Sequence, residues 1–235
     1  MSTEPPATDG RRRRWDQHKA HRRRVVLAAA LELIEEAGPG EDVHVQQIAD
    51  RAGLSRTVVY RHFADRADLD RAIQAEIVDR VWGEIEPVLS LDGTPVEVIR
   101  RIVAAYTGWA AEHPALLRFA ELDVPGEGPS PLARLVEQVA TQVEALITLA
   151  ADLLDVPLDD DLRQALDPLV FGMVGAVMGA VRRWVGRPER VPAPEVFVDL
   201  VTRSIWLQIA GLAATRGAVI DPDRPLQELF GADGD

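Results

Sequence analysis

The chain has 235 residues, 47% of them hydrophobic and 27% charged, enough apolar material for a sizeable core and unlike a disordered polymer. It has no cysteine, which excludes disulfides, thiol catalysis and cysteine-ligated zinc. The net charge of −12 argues against a polyanionic partner, but 13 Lys and Arg face 12 Asp and Glu over residues 1–71, against 13 and 26 over 72–235, so one basic face can sit on an acidic whole.

Residues 1–10 read as a disordered tail, and 11–24 (RRRRWDQHKAHRRR) hold eight basic groups and one acid; a disordered basic arm is assigned to 1–21. Over 22–37, Val26, Ala29, Ala30, Leu33, Ile34 and Ala37 follow the spacing of one buried helical face, ended by Gly38-Pro39-Gly40. A second helix over 45–52 buries Val45, Ile48, Ala49 and Ala52, with Gly53 just past its end. Ser55 caps a third over 56–63. The fourth opens near Arg66, runs past Trp82 and closes by Pro87 and Asp92-Gly93. Further helices are expected over 95–113, 114–122, 131–154, 161–185 and 194–216, several opened by proline. No stretch alternates with period two, so the fold class is all-α. The division is a helix-turn-helix domain over 22–66 and a helical effector-binding and dimerisation domain over 67–235. The longest uncharged apolar run, 169–181, is shorter than the about 20 residues that cross a bilayer, and the N-terminus lacks a signal-peptide core. A soluble cytoplasmic protein with no membrane partner is expected.

The informative segment is 45–63, two short helices joined by a tight turn. In such a pair the first helix lies across a DNA backbone and the second enters the major groove. Val59 and Phe63, spaced i, i+4, should point inward. Arg56, Thr57, Tyr60 and Arg61 then face outward, offering guanidinium groups, hydroxyls and a ring to base edges and phosphates. The stretch "VQQIADRAGLSRTVVYRHFADRADL", preceded by "RRRVVLAAALELIEEAG", resembles the TetR family of bacterial transcriptional regulators. The resemblance is specific over about residues 22–72. It implies a three-helix N-terminal DNA-binding domain, a helical ligand domain and a homodimer formed through the last two helices. By position it implies base-edge roles for Gln46, Arg56, Thr57 and Tyr60, and phosphate contacts from His44, Tyr60, His62 and Arg66. Two residues depart from the pattern: His44 stands where many members have Ser or Thr, leaving Asp42 as a substitute cap, and Val58 where many have Thr.

One short helix supplying two or three base contacts of ~1–3 kcal/mol is too weak to find a genomic site alone. The expected operator is therefore a near-palindrome read by two heads, and the expected action is repression. The basic arm has two readings: a solvated tail that adds salt-dependent attraction, or an arm whose Arg11–Arg14 enters the minor groove.

Between 161 and 185, Gly172, Gly175 and Gly179 form a small-residue ridge. Glycine costs ~0.8–1 kcal/mol each inside a helix, which close helix approach would offset. The next helix carries Phe197, Leu200, Val201, Ser204 and Gln208 as a second stripe. Together these are the expected dimer interface; the plainer reading packs the ridge within one protomer. Tyr106, Trp109, His113, Arg118 and Phe119, with Trp82, Gln142 and Met173, are candidate contacts for a small, moderately hydrophobic effector, against plain core packing. Ligand binding would shift the population of head positions through the fourth helix. No H-E-x-x-H, G-x-S-x-G, P-loop or G-x-G-x-x-G occurs, so no enzyme, cofactor or metal is expected. The rival reading is a ligand-independent or partner-controlled DNA-binding dimer, which a filled effector core would favour over a cavity.

Overall fold

From Arg11 to Glu36 neither glycine nor proline interrupts the chain, and arginine, alanine and leucine are strong helix formers. The computed structural model, which describes residues 8–38, 41–153, 156 and 158–229, accordingly opens with one long helix, α1 (Thr8–Glu36). This corrects the assignment of 1–21 as a disordered arm: from Thr8 onward the basic segment continues the first helix. Residues 1–7 of the expected tail, the Pro39-Gly40 turn, Leu154 and the side chains of Arg11–Arg14 lie outside the described residues.

Helices α2 (Val45–Arg51), α3 (Arg56–Val59) and α4 (Arg66–Ile85) follow, and a 3₁₀ turn at Glu86–Val88 ends the last. Helix α3 is shorter than the sequence predicts. Past Val59 the chain tightens into i→i−3 bonds, Arg61 N–H to Val58 O at 3.1 Å and His62 N–H to Val59 O at 2.9 Å, a common ending for a short helix. Next come α5 (Pro95–Glu112), α6 (Pro114–Ala120), α7 (Pro131–Leu153), α8 (Asp160–Val185) and α9 (Pro194–Ala214), with a terminal 3₁₀ turn at Leu226–Leu229. No strand occurs among the described residues. Thr94 and Glu97 form a capping box on α5, and Asp159 caps α8 by accepting Leu162 N–H at 2.8 Å. Acids in the first turn of α8 and Arg182 and Arg183 in its last match the helix dipole at both ends.

One apolar core runs from the N-terminal helices into the body through α4. Helix α4 packs on α1, α5, α6 and α7, while α7 pairs with α8 and α5 with α9. Arg100 to Asp199 at 2.9 Å and Arg190 to the Ala111 carbonyl at 2.8 Å show that α5 and α9 run antiparallel. By length and composition α8 and α9 are both apolar enough to cross a membrane. The uncharged run 169–181 understates this, because the rest of α8 adds further apolar residues around a few charges.

Candidate nucleic-acid interface and effector cavity

The head is built around the turn between α2 and α3. Gly53 adopts φ +65°, the left-handed conformation glycine takes without strain. Ser55 Oγ accepts Val58 N–H at 3.4 Å, opening α3. Val59 and Phe63 are fully buried, as their spacing predicts. That fixes the rotation of α3, so Arg56, Thr57 and Arg61 are exposed and Tyr60 half-buried. The side chains of Thr57 and Arg61 make no hydrogen bond among the described residues, and the Arg56 guanidinium lies 5.5 Å from the centre of the Tyr60 ring. On α2, Gln46 is exposed and donates to Asp50 at 2.8 Å. The backbone N–H of His44 donates to Gln47 Oε1 at 2.6 Å, the half of a capping box that the residue at the third helical position supplies.

Two expected phosphate contacts have other work in the free protein. The Arg66 guanidinium bonds Asp70 at 2.8 Å and the Val43 carbonyl at 2.9 Å, tying the start of α4 to the approach of α2. His62 lies beside His18, Lys19, Arg22 and Arg23 of α1. Burial first, then those cations, holds its imidazole below the usual histidine pKa, so it is neutral at pH 7. Arg23, three residues before Val26 opens the apolar stripe, ties α1 to the end of the recognition segment: it donates to the His62 carbonyl at 3.1 Å and lies 4.4 Å over the Phe63 ring.

Two contacts that sequence reasoning missed join head and body. His113 Nδ1 is 2.5 Å from Glu35 Oε1 at the end of α1. Gln74 of α4 is 1% exposed and donates to the carbonyls of Phe119, Ala120 and Leu122, at 3.2, 3.4 and 2.8 Å. The signal for Gln74 was present: it shares the helical register of Val78, Val81 and Ile85, a lone polar residue on an apolar stripe.

A cavity of about 220 Å³ opens between α4, α5, α7, α8 and α9, just below the about 300–1,000 Å³ of typical small-molecule sites. Among the effector candidates, Tyr106 and Met173 line it. The other six do not. Trp109 is core, tilted against His113 at 5.4 Å; Trp82 and Phe119 are partly buried against that core; Arg118 and Gln142 are exposed. His113, just past the end of α5, meets Glu35 of α1 and Trp109 packs beside it, whereas Tyr106 one turn earlier lines the cavity. Trp206, absent from the candidates, does line it: α9 has two apolar faces, and only the outer one was read. Among the described residues no cluster of three or more His, Asp or Glu could hold a metal.

That outer face is open. A Cβ built on Gly172, Gly175 or Gly179 meets nothing within 4 Å, so nothing among the described residues packs closely on the ridge. Leu200 and Leu207 on α9 are 58% and 63% exposed, and Ser204 and Gln208 are exposed beside them. Phe197 and Val201 are half-buried, Phe197 by stacking on Trp184 at 4.9 Å.

Residues 26–73 match the model of the bacterial regulatory proteins of the tetR family. The chain is 27% identical over 213 residues, 90% of its length and 87% of the relative's, to the uncharacterized HTH-type transcriptional regulator Rv0472c of Mycobacterium tuberculosis. A TetR-family regulator from Streptomyces coelicolor shares the fold with a TM-score of 0.61 at 22% identity, over 90% of this chain and 95% of that one. FadR of Bacillus subtilis, solved with stearoyl-CoA, gives 0.58 at 17% identity over 80% and 97%. The match over residues 26–73 and the likeness to an HTH-type regulator support a DNA-binding head of the kind found in transcriptional regulators.

Proposed function

We propose that the protein is a repressor that binds a near-palindromic operator as a homodimer and is released by a small, moderately hydrophobic effector held in the cavity. One observation carries this reading: α4 is a single 20-residue helix whose first residue, Arg66, is pinned to the head at Val43 and whose last, Ile85, is part of the cavity wall. A ligand that reshapes the wall has a rigid lever to the recognition helix. Arg56, Thr57, Tyr60, Arg61 and Gln46 are proposed to meet the bases and His44 and His62 the phosphates, with Arg66 holding the frame. Dimerisation would cover the glycine ridge of α8 and the Leu200–Leu207 face of α9; the exposure of these apolar faces in one chain supports an interface there rather than a membrane span. The presence of a cavity, rather than a filled core, favours a ligand over control by a partner protein.

Selection of bound sequences from a random DNA pool, repeated with candidate ligands, tests the reading. A palindromic consensus that is lost on adding a ligand is expected. Unchanged operator affinity at saturating ligand would remove the coupling.

A further inference from the structure

The cavity wall is unusual in what it lacks. Of its lining side chains, which include Leu135, Val143, Ile147, Leu166 and Val177, none is charged, and only Tyr106 and Trp206 bring a polar atom. Both are hydrogen-bond donors and both are neutral groups. Tyr106 is 4% exposed, and its hydroxyl makes no hydrogen bond among the described residues. It is a free donor on the cavity wall, which a ligand acceptor can satisfy. Burial also raises the Tyr106 pKa above its usual value, so the phenol stays protonated and able to donate.

The wall also has a shape. Along α5 it runs from Pro95 to Tyr106, about 16 Å at 1.5 Å per residue. A chain of about 1.5 Å bonds advances about 1.3 Å per carbon, so that length holds roughly a dozen carbons. Leu91, Ile220 and Leu226 close the end away from Tyr106, and Leu226 is fastened there by its N–H to the Gly93 carbonyl at 2.9 Å.

Resting on the effector reading above, we infer that the cavity takes an uncharged, extended aliphatic molecule with one oxygen acceptor, which meets Tyr106. A carboxylate or ammonium inside this wall would meet no charged lining residue, and the Arg182 and Glu121 charges that reach Tyr106 already pair with each other at 3.7 Å, so the ligand charge would be buried at a large penalty. A bare hydrocarbon would leave the Tyr106 hydroxyl unpartnered.

The test titrates the full-length protein with 2-alkanones from 2-heptanone to 2-undecanone, using calorimetry and tryptophan fluorescence. Affinity should rise about fourfold per methylene, the equivalent of ~0.8 kcal/mol, until the cavity is full. Nonanoate and nonylamine at pH 7 should bind at least tenfold more weakly than 2-nonanone. Tyr106→Phe should weaken 2-nonanone about fivefold, as loss of one hydrogen bond predicts, while binding of nonane is unchanged; an unaltered melting curve checks its fold. Binding of nonanoate or nonanoyl-CoA as tight as that of the ketone overturns the inference, as does no ketone binding. Operator affinity is measured separately. Ketone binding without DNA release would uphold the ligand class and sink the effector reading instead.

Discussion

The head and the body of this protein are held by opposite means. In the head, short helices are pinned by polar side chains: Gln47 on His44, Ser55 on α3, Arg66 on Val43, and Arg51 reaching Glu36 at 2.6 Å and Glu32 at 3.3 Å. Surface pairs like the last add little stability singly, but each fixes a direction. A reading surface needs side chains held to within a fraction of an ångström. The cavity in the body is bounded almost wholly by apolar side chains, Tyr106 and Trp206 apart, and these pack without directional bonds and can adapt to a guest. Precision at one end and compliance at the other is the division a ligand-controlled DNA reader requires.

The largest effect should come from breaking the reading surface. Arg56→Ala removes one proposed base contact from each head. At ~1–3 kcal/mol per contact, taken twice, operator affinity should drop by on the order of a hundredfold or more in fluorescence anisotropy, with the melting temperature unchanged because Arg56 is exposed. An equal loss on random DNA would mean that Arg56 touches phosphate only. Next is the outer face of α9. Leu207→Glu places a carboxylate on a surface 63% exposed in the single chain, so the fold should survive while burial of that charge opposes association. Sedimentation should show monomer where the parent is dimer, and operator affinity should fall with it. A Leu207→Glu protein that stays dimeric would move the interface elsewhere.

The same contrast explains what could be read from sequence. The head was legible because its signals are local: Gly53 and Ser55 mark the turn, and the spacing of Val59 and Phe63 sets which side of α3 faces out. Helix spans in the body were legible from capping residues and prolines such as Thr94, Pro95 and Asp159. Orientation was not. Tyr106 and Trp109 lie on the same helix, three residues apart, yet one lines the cavity and the other packs as core. That difference is set by where α7 and α9 lie, which no local pattern encodes. The bond from Arg66 to the head was not legible for a similar reason: its acceptor, the Val43 carbonyl, is 23 residues away.

The joint between the two regions sharpens the comparison. Gln74→Leu would leave three carbonyls at the end of α6 without their donor, in a buried setting where an unsatisfied group costs ~1–3 kcal/mol. For a chain of this size each kcal/mol lowers the melting temperature by about 2–4 °C. Because Gln74 holds α4 to α6, ligand-induced release of DNA should weaken more than ligand binding itself. Loss of stability with full retention of DNA release would make Gln74 a packing residue only.

The smallest effect concerns protons in the head. His62 is held below its ordinary pKa by burial and by Lys19, Arg22, Arg23 and His18; its Nδ1 has no hydrogen-bond partner. The folded head therefore binds fewer protons at this site than the unfolded chain, and stability must rise with pH across the interval between the two values. The contribution is complete above about pH 6.5, the unfolded value, and is lost as pH falls through the lowered folded value. Replacement by a group that does not titrate, His62→Gln, should flatten the acid side of the stability profile without shifting its neutral plateau. An NMR titration of the free protein should place the His62 midpoint below that of a model imidazole. DNA phosphates brought near the ring oppose the cations of α1, so the midpoint should move upward in the operator complex if His62 meets the backbone. A midpoint unmoved by DNA would leave His62 as a spacer beneath the arginines rather than a contact.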